Sequence, residues 1–152
     1  MPDSKSEEVI KALLSVIEDG APVGASVVRN ATLPTRIPDG GWICLRDGDP
    51  GQPEVLLSPP LYIYEHRAEV DVVVEMGSAL ENFGTDVREA RFDEIKRAIG
   101  TAIAADRTLG GLCDYVIGEA PTPVEIPVDG AEYLKAATIG IVLTYGSSDP
   151  LA

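Results

Sequence analysis

One stretch constrains the fold more than any other. Over residues 61–75, Ala68, Val70, Val72 and Val74 alternate with Glu69, Asp71 and Glu75. A period of two places one set on an apolar face and the other in water. The chain must therefore build a sheet with one buried face and supply something to cover it. Leu61 and Ile63 lie on the opposite parity, which predicts a bulge or bend near residues 65–67 that keeps both sets inside. At about fifteen residues this strand far exceeds the usual five or six. That length predicts a strand projecting beyond the core, whose N–H and C=O groups can pair with a neighbour's sheet. A second strong strand is expected over 136–145, where Ala137, Ile139, Ile141, Leu143 and Tyr145 share one face.

The cover comes from two helices. Ile10, Leu13, Leu14 and Ile17 recur at helical spacing and predict a helix over 6–19. Ser4 and Glu7 are spaced as a capping box, and Gly20 stands where a left-handed stop is expected. Phe92, Ile95, Ile99 and Ile103 predict a second helix over 88–105, with Asp93 and Arg97 as an i,i+4 ion pair. Shorter extended pieces are expected at 25–28, 42–46 and 112–117. A turn on Asp47-Gly48-Asp49-Pro50-Gly51 would let 54–57 return antiparallel to 42–46 as a hairpin. The three prolines of EAPTPVEIPVDG, residues 119–130, exclude a central strand there.

This order predicts a single α+β domain over 1–152. Its sheet is mainly antiparallel, two helices pack on one face, and a long hairpin or strand projects. The connections 20–41, 76–87 and 118–134 are long for so small a core, and such loops commonly bind something. They read as docking arms.

Charge narrows the function. The 152 residues carry 12 Lys and Arg against 25 Asp and Glu, a net charge of −13. Sequence-independent DNA binding needs cations that displace counterions from phosphates, so such a chain is poorly suited to it, and to an anionic membrane surface. No stretch approaches the ~20 apolar residues of a membrane span. The polar N-terminus MPDSKSEE does not resemble a secretory signal. Cys44 and Cys113, each in apolar surroundings, are expected as buried thiols of a cytosolic chain.

Catalytic candidates are few. His66, the single histidine, sits between Glu65 and Arg67 with no evident orienting partner, and is expected to be exposed or on an edge strand. Asp47 and Asp49 begin like a calcium loop, but prolines follow at once and a solvated turn is the expectation. Thr108-Leu109-Gly110-Gly111 lacks the lysine of a phosphate loop and reads as a helix stop. Cysteine–histidine zinc spacing is missing too. The sequence thus offers no catalytic, cofactor or metal site, and the expectation is a non-enzyme. A different class, a small enzyme or ligand-binding domain with a pocket between the sheet and the second helix, stands as the alternative.

The C-terminal part carries a resemblance. The stretch AADRTLGGLCDYV at 104–116, EYLKAATIGIVLTY at 132–145 and the terminal SSDPL at 147–151 resemble the tail terminator, or tail-completion, proteins of long-tailed phages and gene transfer agents. The N-terminal helix, the Val27-Val28-Arg29-Asn30 element and the central hydrophobic strand followed by a loop are also similar. The resemblance implies an α+β subunit of a homohexameric ring at the head-proximal end of a tail tube. Such a ring ends tube polymerisation and offers a face to the neck's stopper protein, while DNA passes through without specific binding. It implies a structural particle component, assembled in the bacterial cytoplasm, with no cofactor. A head-side stopper or adaptor is the neighbouring possibility. Interface candidates are Met76, Leu80 and Phe83 in the 76–87 loop, Trp42 and Arg46 on the short hairpin, and Arg29 and Arg36 in a mostly neutral loop.

Overall fold

The computed structural model describes residues 2–75, 84–125 and 134–152. Its spine is a pair of long antiparallel strands, β4 (Pro60–Glu75) and β7 (Leu134–Ser147). Their register runs without interruption from Tyr62 opposite Ser147 to Glu75 opposite Leu134. Each long strand carries two short ones on its other side. β2 (Trp42–Asp49) and β3 (Glu54–Leu57) share one side of β4, and β5 (Tyr115–Gly118) and β6 (Thr122–Val124) share one side of β7. β1 (Ser26–Arg29) completes the sheet by pairing parallel to β2. Helices α1 (Lys5–Gly20) and α2 (Gly84–Ala105) contribute to the core on one face. The fold is α+β with a mainly antiparallel seven-stranded sheet, as the alternation and helical periodicities predict.

The core follows from the registers. Ile43 and Leu45 of β2 stand opposite Val72 and Val70 of β4, which stand opposite Ala137 and Ile139 of β7. All are buried with Ile10, Leu13 and Ile17 of α1 and Phe92, Ile95, Ile99 and Ile103 of α2. The five β7 residues expected on one face are all in this core.

Several expectations are corrected. No bulge interrupts β4: Tyr64 and His66 continue the inward parity of Ala68, while Leu61 and Ile63 point to the other face. The irregularity lies on β2, between Arg46 and Asp49. There Gly48 adopts φ +70°, and a side chain would collide with the Arg67 carbonyl. The Asp47–Gly51 stretch is no hairpin turn either. β3 pairs with β4, turning back through Ser58-Pro59, and β2 takes β4 and β1 as partners instead. β4 is therefore occupied along both sides and is not the free template its length suggested. The open strands are the short outer ones.

The helix ends also differ. Ser4 accepts from the Glu7 amide at 3.3 Å, but the Glu7 carboxylate turns to Arg29 rather than completing the box. Gly20 is not left-handed; a Cβ there would stand 2.7 Å from the Ala102 Cβ, so glycine is needed for α1 to approach α2. Asp93 pairs with Lys96 at 3.0 Å, not with Arg97. The 118–134 run provides the exposed edge strand β6, where Pro123 is tolerated.

Candidate interaction surface

Chemistry-bearing side chains gather on the helix side, where β2 and β4 meet α1. His66 is buried, 3% exposed, not the solvent-facing group its polar neighbours suggest. Its inward parity in β4 explains this, since Glu65 and Arg67 take the outward positions. Nε2 lies 2.6 Å from the Asp47 carbonyl oxygen and Nδ1 2.7 Å from the Tyr145 hydroxyl. A carbonyl can only accept, so Nε2 carries the proton, and in the neutral ring Nδ1 accepts from Tyr145.

The Asp47 carboxylate is held in turn by Arg29, with both contacts at 2.8 Å, and the same guanidinium forks onto Glu7 at 2.6 and 3.0 Å. Hydrogen bonding from Arg29 holds the Glu7 and Asp47 carboxyls below their ordinary range. The network thus clips α1, β1, β2, β4 and β7 together. Both ring nitrogens of His66 are engaged inside it, so the ring is a structural tie rather than a poised base. Arg29 is used within its own subunit.

Both thiols are buried. Burial pushes Cys113 up to about 11 and the Tyr145 hydroxyl up to about 12. Cys44 is buried beneath the Ala31 backbone on the other face. Among the described residues, no three His, Cys, Asp or Glu side chains are grouped to hold a metal ion.

The face away from the helices has a covered end. Trp42, 4% exposed, packs there with Ile37, Cys44 and Val73 under the segment that follows β1. Arg46 bonds Asp71 at 2.6 Å and the Ala31 carbonyl at 2.9 Å, and Thr138 donates to the same Asp71 at 2.8 Å. Trp42 and Arg46 are therefore brought together around a small cavity of about 160 Å3, but Trp42 is core. Arg36 is exposed and forms no ion pair among the described residues. Met76, Leu80 and Phe83 lie outside the described residues.

Three of the short strands, β3, β5 and β6, expose apolar side chains. Val55, Leu56 and Leu57 of β3 are all exposed, Leu57 at 76%. At the opposite edge, Tyr115 and Ile117 of β5 and Val124 of β6 are exposed as well. Isolated surface apolar residues are ordinary, but three in succession on an edge strand form a pairing hazard unless something covers them.

No family model and no curated protein matches this chain.

Beside β5 lies a cavity of about 450 Å3, between α2 and the sheet. Ile99, Ile103, Ile117 and Ile141 line it, with Lys96 and Arg107 among its polar residues. Sequence reasoning missed β3 and β5 as contact candidates. The available signal was Val55-Leu56-Leu57 itself: an apolar run without alternation, closed by Ser-Pro-Pro, places apolar side chains on both faces of its strand and so asks for cover on both. No helix among the described residues is long and apolar enough to cross a membrane.

Proposed function

We propose that this chain is a structural assembly protein of the tail-terminator kind. In this reading its copies form a homohexameric ring at the head-proximal end of a tail tube, end tube polymerisation and join the tail to the neck's stopper protein. The observation that carries the reading is the placement of bare apolar strands at opposite edges of one sheet. An interface between two different patches is head-to-tail, and such interfaces close into rings when the rotation between copies allows it. The family resemblance supplies the kind of ring. The occupied nitrogens of His66 and the raised thiol of Cys113 favour scaffold over catalyst. The acidic composition suits a channel that duplex DNA passes without adhering.

The test is light scattering behind size exclusion, with and without purified tail tubes, together with tube lengths by electron microscopy. A hexamer, or a ring that forms on tube ends and limits tube length, is the expected result. A monomer at every concentration that leaves tubes unchanged contradicts the reading. Binding to portal complexes rather than tube ends would move the chain to the head side, as a stopper or adaptor.

The cavity between α2 and the sheet favours one second reading, a ligand-binding domain. A monomer that binds a small metabolite there would support it.

A further inference from the structure

We infer that the groove between α2 and β5 is the socket for the β3 strand of a second copy of this chain. The inference rests on the assembly reading above and names its contact surfaces. Tongue and socket are matched in apolar character. Leu57 is largely and Val55 and Leu56 are half exposed, while exposed Ile117 rims a groove floored by the buried Ile99 and Ile103. Their charges also match, because Glu119 in the socket lining is already taken up by Arg67 at 2.7 Å. Glu54, which begins β3, is exposed and forms no ion pair among the described residues. Arg107, at the socket, stacks over the Tyr115 ring at 5.3 Å and donates to the Val116 carbonyl at 2.9 Å. It has no carboxylate partner among the described residues. A carboxylate without a cation on the tongue and a guanidinium without a carboxylate at the groove, both among the described residues, are what a specific, oriented contact requires.

Topology agrees. β3 pairs with β4 over Pro60–Ile63, and β5 pairs with β7 over Ile141–Thr144, which stand opposite Ala68–Glu65 of β4. Tongue and socket thus lie on opposite edges toward the same end of the β4–β7 ladder. One copy cannot fill its own socket across the intervening strands. A neighbour related by rotation can, and the contact repeats around the ring. β5 ends the sheet on that side, and its outer edge, apart from the Val116 carbonyl held by Arg107, is open to strand addition.

The test uses the full chain. Leu57→Cys and Ile117→Cys variants, mixed and mildly oxidised, are expected to give covalent dimers only in the mixture. The double variant should give a ladder up to the ring. Leu57→Asp should weaken assembly at least ~30-fold, as loss of a contact hot spot does, with an unchanged circular dichroism spectrum because the residue is exposed. Glu54→Arg should weaken assembly, and Arg107→Glu in the same chain should restore part of it. If Leu57→Asp rings form normally and no cross-link appears, this interface is wrong while the ring reading survives. If the wild-type chain never assembles, with or without tubes, both fall. A small amphiphile that fills the groove without disturbing assembly also overturns the inference.

Discussion

The two ends of the β4–β7 ladder are built from the same residue types and have opposite fates. At the Val72–Val74 end both faces are buried, the helices covering one side and the Ile37–Trp42–Cys44 cluster the other. At the Pro60–Ile63 end the adjoining β3 strand leaves Val55, Leu56 and Leu57 in water. Sheet formation is common to both, so pairing alone does not decide burial. What decides it is whether the chain supplies a second layer. The covered end is finished within one subunit; under the proposed assembly the bare end is the one left for a neighbour.

Substitutions can break that contrast. The largest effect is expected from Trp42→Ala, which opens a cavity under the covered end and should cost about 3–5 kcal/mol in denaturant unfolding. Gly20→Ala forces a methyl group 2.7 Å from the Ala102 Cβ, and should cost about 1–3 kcal/mol by the same measurement. Arg29→Met leaves Glu7 and Asp47 facing each other, and should cost about 1–2 kcal/mol at neutral pH.

That fork also sets an acid limb. The folded carboxyls titrate below their ordinary values, 4.5 for Glu7 and 3.8 for Asp47. Their contribution is therefore complete above those values and is lost as pH falls through the lowered folded ones. Both side chains are partly exposed, so solvent screening keeps the effect modest. Stability measured from pH 6 down to pH 2 should fall less steeply in Arg29→Met than in the wild type. The smallest effect is expected at the bare end. Leu57→Ala should change subunit stability by less than ~0.5 kcal/mol while weakening assembly. A large loss of subunit stability there would erase the contrast.

The covered region was the more legible one in sequence. The alternation of Val70, Val72 and Val74 and the stripes of α1 and α2 predict their own burial, because a regular period points to a single face. Partner choice was not legible. Residues 54–57 follow a turn-rich stretch, and local logic joins them to 42–46; the structure joins them to 60–63 instead, freeing β2 for β1 and β4. The bulge is expected on β4 because Leu61 and Ile63 are apolar, but β4 keeps one register and leaves them half-buried on the face opposite Tyr64 and His66. His66 was misplaced for a related reason: charged sequence neighbours say nothing about the inward position between them. Gly20 was recognised as special but for conformation, whereas its role depends on Ala102, far along the chain.

The most direct measurement is hydrogen exchange on the full chain, compared between dilute subunits and the assembled state. Amides of β3 and β5 should exchange rapidly in the free subunit and slow markedly on assembly, while those at the centre of β4 and β7 stay protected throughout. If assembly occurs and β3 and β5 remain as fast as in the free subunit, their bareness has another cause and the account is wrong.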